Sequence, residues 1–339
     1  MSGISKGLAE YYNRHHPDRK NLAIRDVREI TSGWETELYA FRVEFEEGGR
    51  LIREERVARL YPGKYAAGKA AKEFGVMSRL SEAGYPVPDV YDLDTEGAAL
   101  GKPFVVMERI KGGTVEDELG GCGEAGRERL LGVLLKLFVD LHNLDAEKVF
   151  PDTEIRTTAG YVEGVIDRYR RGIADNGIPW MEPLIDWLDA HRAAITPADI
   201  SVLHRDFHPL NVMLREDGSP VVIDWGASSV GDYRDDLAWT MLLSSTFGDP
   251  ASREIILDGY RAVSRREAEY IEFFEVMAIL RRLTDLTVSL RSGAEEMGMR
   301  PGAVEMMRAA KGHIQGVYDL LIARTGLRLP EFEELLDSL

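Results

Sequence analysis

Tyr39, Phe41, Val43 and Phe45 alternate with Ala40, Arg42 and Glu44, which is the period of a half-buried strand. Glu46-Glu47-Gly48-Gly49 supplies a hairpin turn, and a second strand runs through Val57 and Leu60. The period then lengthens to that of a helix over residues 65–82. Leu130, Leu131, Val133, Leu134, Leu135, Leu137, Phe138 and Leu141 form a wide apolar face and predict a buried central helix. Residues 180–188, 270–290 and 304–321 read as further amphipathic helices. Lys102 to Ile110 holds an apolar run ending in polar residues, the mark of a buried strand. Two shorter apolar runs, 200–203 and 221–223, lie on either side of a turn at 215–220 with Asp217-Gly218 at its core.

At 339 residues the chain is long enough for two lobes with a substantial shared core, and an apolar share of 44% suits a globular enzyme. A single cysteine, Cys122, excludes an internal disulfide and fits a reducing compartment. No apolar signal core stands at the N-terminus, and no run approaches the roughly 18 residues of a membrane span. The expectation is a cytoplasmic protein with no membrane partner. The net charge of −16 argues against nucleic acid, whose phosphates want a basic face. It attracts a cationic substrate, although solubility alone also accounts for an acidic surface.

The chemistry concentrates in His204-Arg205-Asp206-Phe207-His208-Pro209-Leu210-Asn211, followed by Val221-Val222-Ile223-Asp224-Trp225-Gly226. The first segment fits the catalytic-loop pattern H-R-D-L-x-x-x-N, and the second stands where D-F-G would stand. One carboxylate, Asp206, is placed to orient a substrate hydroxyl and take its proton. Asn211 and Asp224 are placed to hold the Mg2+ that neutralises the phosphates. A hairpin with metal ligands at both ends delivers them from strand edges. Two other readings are open on the residues alone: ordinary turn residues, or a His204/Asp206/His208 metal cluster of a hydrolase.

These motifs resemble the aminoglycoside phosphotransferase and choline kinase superfamily, small-molecule kinases with a protein-kinase-like fold. The resemblance runs from about Val27 to the helices after Asp236, where Gly231-Asp232-Tyr233-Arg234-Asp235-Asp236-Leu237-Ala238 is similar to the family's Gly-Asp-x-x-x-Asp-Leu-Ala signature. In that signature the second acid, here Asp236, braces the catalytic loop. Too few residues separate Asp224 from Asp236 for the long activation segment of a protein kinase, so the acceptor expected is a small molecule.

The resemblance implies an α+β, bilobal protein-kinase-like fold. Residues 1–108 would form a small antiparallel-sheet lobe covering the nucleotide, and 109–339 a larger, mainly helical catalytic and acceptor-binding lobe. Gly33 falls in a glycine-poor phosphate-covering loop. Arg59 stands where the family has lysine, with Glu73 as its ion-pair partner. The backbone from Glu108 to Ile110 is expected to meet the nucleobase. Arginine keeps the charge at position 59, but its fork is not interchangeable with an ammonium. The function implied is transfer of the γ-phosphoryl of ATP or GTP, with Mg2+, to a hydroxyl of an antibiotic or metabolite. The alternative within the same fold is a catalytically idle nucleotide-binding module. Asp285, Glu295 and Glu296 sit by location where the family's acceptor walls carry acids, and a charged face in solvent explains them equally well.

Overall fold

The structure is a computed structural model that describes residues 3–30, 36–292 and 308–339. The chain forms two compact units. The first is built from the described residues up to Gly113 together with Met213–Gly226; the second comprises Thr114–Val212 and the described residues from Ala227 onward.

The first unit opens with helix α1 (Gly3–His15), followed by strands β1 (Lys20–Ile30), β2 (Glu37–Glu47) and β3 (Arg50–Leu60). Helix α2 (Ala66–Glu82) and strands β4 (Val90–Asp94) and β5 (Phe104–Glu108) complete an antiparallel sheet of order β1-β2-β3-β5-β4. The alternation read at Tyr39–Phe45 becomes β2, and Gly48 and Gly49 close the β2–β3 turn with φ of 57° and 75°. Two successive left-handed residues are what a tight two-residue hairpin turn demands. One sheet face buries Phe41, Val43, Phe45, Ala58, Leu60, Phe104 and Val106 against Leu8, Tyr11 and Tyr12 of α1.

A second, three-stranded sheet of order β6-β8-β9 is made by β6 (Gly112–Thr114), β8 (Val212–Arg215) and β9 (Pro220–Val222). Gly112 has φ 148°, and a Cβ there would stand 1.8 Å from the Leu214 carbonyl oxygen, so only glycine permits this pairing. The returning segment is fastened by Val222 N–H donating to Pro86 O at 2.8 Å and by Trp225, which packs edge-on against Tyr85. Arg215 adds a forked ion pair to Glu108, its NH2 lying 2.9 Å from Oε2.

The second unit contains α3 (Val115–Gly121), α4 (Glu124–His142), α5 (Ala146–Val149), α6 (Thr158–Asp175) and α7 (Glu182–His191). A two-stranded antiparallel ribbon of β7 (Ile200–Leu203) and β10 (Ser229–Asp232) precedes α8 (Tyr233–Phe247), α9 (Ser252–Ser264) and α10 (Ile271–Ser292). Helices Lys311–Thr325 and Pro330–Asp337 follow. Helix α4 is the buried helix expected from its leucines, with Leu130, Phe138 and Leu141 each at most 1% exposed. The apolar run at 180–188 divides into a 3-10 turn at Pro179–Met181 and α7. The start of the helix expected over 304–321 lies outside the described residues.

Candidate active site

In the helical unit, the residues from His204 to Asn211 follow β7 as an irregular loop ending in a 3-10 turn, Pro209–Asn211. One face of α8 holds it. Asp236, Trp239 and Thr240 are spaced i, i+3 and i+4, so they point the same way from the helix. Asp236 accepts the His204 and Arg205 backbone N–H groups, both at 2.7 Å. Trp239 Nε1 donates to Asp206 Oδ1 at 3.0 Å, and Thr240 Oγ1 donates to the Phe207 carbonyl at 2.8 Å. Underneath, Phe207 stacks on Phe138 of α4 at 4.3 Å. The helix thus fixes four consecutive residues, 204 to 207, by polar contacts that a sequence pattern alone does not reveal.

Arg205 carries the strain of this loop, with φ 70°. A non-glycine residue held there costs on the order of 1–3 kcal/mol and needs surroundings that over-determine it. Its guanidinium meets Asp235, and NH1 donates to Tyr161 Oη at 2.6 Å. Asp236 is itself supported by His142, whose Nε2 is 3.3 Å from Oδ2 while Nδ1 meets Tyr260 Oη at 2.7 Å. His142, at the end of a leucine-rich helix, is therefore a polar brace.

Burial alone would raise the Asp206 pKa. His208, whose Nε2 lies 3.4 Å from Oδ2, and the Trp239 donor outweigh it and hold the carboxyl well below the usual range. Asp206 is ionised at neutral pH and has its second oxygen directed away from Trp239. Asn211 Nδ2 donates to the Asp206 carbonyl at 2.9 Å and reaches Oδ2 at 3.3 Å. With the amide nitrogen so engaged, the carbonyl oxygen is the atom Asn211 presents to a ligand.

The sheet unit carries the other expected residues. Arg59 of β3 donates from NH1 to Glu73 Oε1 of α2 at 2.9 Å and from NH2 to Asp224 Oδ1 at 2.8 Å. Tyr61 Oη adds a hydrogen bond to Glu73 Oε2 at 2.6 Å. Burial raises the Glu73 pKa, with Arg59 opposing it. Burial also disfavours the Arg59 charge, but Glu73 and then Asp224 keep it firmly protonated. Arg59 thus spends both terminal nitrogens on carboxylates, which a lysine ammonium in that place would not do with the same fork. Asp224 has φ 67°, and its side chain is 45% exposed. Asp224 and Asn211 offer oxygen donors, the chemistry that Mg2+ selects.

Glu108 ends β5 with its carboxylate on Arg215 and its N–H donating to Asp89 O at 2.7 Å. Ile110 lies in the irregular stretch between β5 and β6. Gly33, Glu295 and Glu296 lie outside the described residues. The hydrolase cluster is not assembled: the His204 ring meets the Asp206 backbone N–H at 3.3 Å, while His208 faces the Asp206 carboxylate. Among the described residues no group of three or more His, Cys, Asp or Glu is arranged to hold a metal. No helix among them is long and apolar enough to cross a membrane.

An antiparallel sheet with an Arg–Glu pair and a helical unit presenting a braced His-Arg-Asp loop define an α+β protein of protein-kinase-like fold. The sequence pattern of the phosphotransferase enzyme family matches residues 26–270, and the chain belongs to that family. Acyl-CoA dehydrogenase family member 10 of Mus musculus is 28% identical over 198 residues, covering 57% of this chain; the match spans only 18% of that relative's length. A thermostable mutant of the aminoglycoside phosphotransferase APH(4)-Ia, in a ternary complex with AMP-PNP and hygromycin B, is similar with a TM-score of 0.64. It is 16% identical, over 95% of this chain and all of that one. A structure described as a putative aminoglycoside phosphotransferase, from Ralstonia eutropha, has a TM-score of 0.62 and 20% identity, covering 92% of this chain and 98% of that one. At these identities the structural likeness establishes the fold.

Proposed function

We propose that the protein transfers the γ-phosphoryl group of ATP or GTP to a hydroxyl of a small molecule. The observation that carries this reading is the Asp206 carboxylate, ionised and aimed by a helix-mounted donor within a loop of the kinase pattern. Asp206 accepts the proton of the acceptor hydroxyl as that oxygen attacks the γ-phosphorus, and nucleoside diphosphate leaves. Asn211 and Asp224 are the residues that would hold Mg2+, which supplies charge neutralisation on the phosphates when bound. Topology supports their pairing: Asn211 immediately precedes β8 and Asp224 closely follows β9, and these strands are neighbours in one sheet. Arg59 and Glu73 serve the nucleotide, with Arg59 also orienting Asp224. Gly33 and the backbone at Glu108 and Ile110 complete the nucleotide contacts in this reading. The lobes serving nucleotide and acceptor are taken as 1–108 and 109–339, in a cytoplasmic enzyme with no nucleic-acid or membrane partner.

The test is Mg2+-dependent diphosphate release from ATP and GTP over a panel of hydroxyl acceptors: aminoglycosides, macrolides, choline, homoserine, hydroxy acids and sugars. Acceptor-stimulated release is expected, falling by about 10²–10⁴ in Asp206→Asn, the range for loss of a general base. Undiminished turnover in that variant would remove the assignment. One observation favours a second reading, an idle nucleotide-binding module: Arg59 occupies an oxygen of Asp224. Nucleotide binding with no release for any acceptor is the result that reading expects.

A further inference from the structure

Helix α10 carries two successive arginines, Arg281 and Arg282, in the helical unit that holds Asp206. The Arg281 guanidinium lies 3.7 Å from the centre of the Trp239 ring, the same ring that donates to Asp206. Arg281 NH1 is bonded to the Arg205 carbonyl at 2.7 Å, and Nε stands 4.0 Å from Asp285 Oδ2. Arg282, next along α10, is half-buried and donates Nε to His313 Nε2 at 2.8 Å. Among the described residues no Asp or Glu oxygen comes within ion-pair distance of Arg282, and its terminal nitrogens make no hydrogen bond.

His313 cannot neutralise it. Burial, and then Arg282 itself, push the imidazole pKa down to about 3, so the ring is uncharged at physiological pH. Its Nδ1 meets Thr246 Oγ1 at 2.8 Å, which orients Nε2 as the acceptor for Arg282. Phe247 stacks on the other side of that ring at 3.6 Å. Burial disfavours the Arg282 charge, and the fields of Asp285 and Asp206 offset this only in part. A guanidinium held in this way, with its terminal fork open, matches the planar recognition of carboxylate or phosphate oxygens.

The geometry points to an anion subsite, formed by Arg282 with its neighbour Arg281, which lies on the ring that donates to Asp206, and this subsite receives a carboxylate or phosphate group of the hydroxyl acceptor. The inference rests on the reading of Asp206 as the base. It departs from the cationic acceptor that the net charge of −16 invites. Net charge is an average over the whole surface, whereas the acceptor is chosen by the charges facing the reacting oxygen. Asp206 must stay available for a hydroxyl, and a neighbouring anion on the arginines holds the acceptor without pairing with the base.

The experiment is calorimetric titration, with ADP and Mg2+ saturating so that the nucleotide site is filled. The ligands are glycerol, glycerate and glycerol 3-phosphate, which differ in the anionic group, with kanamycin as the cationic comparison. The wild-type protein is expected to bind at least one of the anions about tenfold or more tightly than glycerol. The tighter of the two tells whether carboxylate or phosphate is the group recognised. Arg282→Gln should abolish the preference, and Arg282→Lys, which keeps the charge without the fork, should restore part of it. Equal affinity for all three alcohols, tighter binding of kanamycin, or an anion preference that survives in Arg282→Gln would overturn the subsite. Should Arg282→Gln melt early, the wild-type series and Arg282→Lys still decide. The readout is independent of turnover: its failure leaves the kinase reading in place, and that reading fails separately if Asp206→Asn transfers normally.

Discussion

The Asp206 loop and the Arg59 cluster show two ways of holding a carboxylate. In the helical unit, Asp206 is fixed by an indole N–H and by a loop whose backbone is pinned to α8. In the sheet unit, Asp224 and Glu73 share one guanidinium, and the burial of Glu73 makes charge balance the governing term. The first arrangement orients; the second neutralises. Damage to the first should appear mainly in rate, and damage to the second mainly in stability and nucleotide affinity.

The largest effect expected from that contrast is Arg59→Ala. It leaves the Glu73 carboxylate, 1% exposed, without its counter-charge, and should destabilise the fold by about 3–5 kcal/mol in denaturant melts. A loss no larger than that of an ordinary surface arginine would mean that Tyr61 and the Trp225 backbone satisfy Glu73 without Arg59.

Acid separates the two regions by sign. The folded-state pKa of Glu73 is raised, so its contribution is present at low pH and is lost as pH rises through that value. Asp206 and Asp236 are depressed, so theirs is present above the ordinary carboxylate range and is lost as pH falls below it. Burial pushes His313 down to about 3, so it takes up its proton on unfolding below about pH 6.5, and burial lowers His142 in the same direction. Between pH 7 and 5 the histidines therefore govern. Stability should fall on acidification by up to about 1.4 kcal/mol per pH unit from His313, with His142 adding in the same sense. Urea melts at pH 5, 6 and 7 measure the slope, and His313→Gln should reduce it; a flat profile would contradict the account.

Trp239→Phe removes one donor to an ionised carboxylate and keeps most of the ring under Arg281. A fall in kcat of about tenfold is expected, with nucleotide affinity little changed. Because the lost bond favoured the charged form, the acidic limb of the rate profile should move to higher pH. An unshifted limb would reduce Trp239 to packing. The smallest effect is that of Arg59→Lys, which keeps the charge but gives up the simultaneous fork on Glu73 and Asp224. A change of a few-fold in nucleotide affinity is expected at this contact, and an unchanged affinity would make the fork a spectator.

The sequence and the structure agree where chemistry or periodicity is local. The alternation at Tyr39–Phe45, the Gly48-Gly49 turn, the leucine face of α4 and the loop from His204 to Asn211 all read directly from neighbouring residues. Asp224 after a short strand and Glu73 on a helix follow from the same kind of signal. What stayed hidden depends on partners far apart in the chain. His142 meets Asp236 and Arg215 meets Glu108 across separations of 94 and 107 residues. The role of Trp239 is hidden in the sequence because its indole N–H finds Asp206 only once α8 is laid against the loop. Arg282 lies in an amphipathic helix, where nothing local tells a solvated arginine from one whose neighbour is a neutral histidine. Helix α1 is likewise set by distant partners, its Leu8, Tyr11 and Tyr12 closing the core of the sheet unit.

The most direct test of the central claim is to follow phosphorus-31 resonances of a wild-type reaction with MgATP and the best acceptor, beside the same reaction with Asp206→Asn. The account predicts a new phosphate-ester resonance on the acceptor, growing as ADP forms, and slowed by about 10²–10⁴ in the variant. Free inorganic phosphate as the sole product, or an ester formed equally fast without the Asp206 carboxylate, would contradict it.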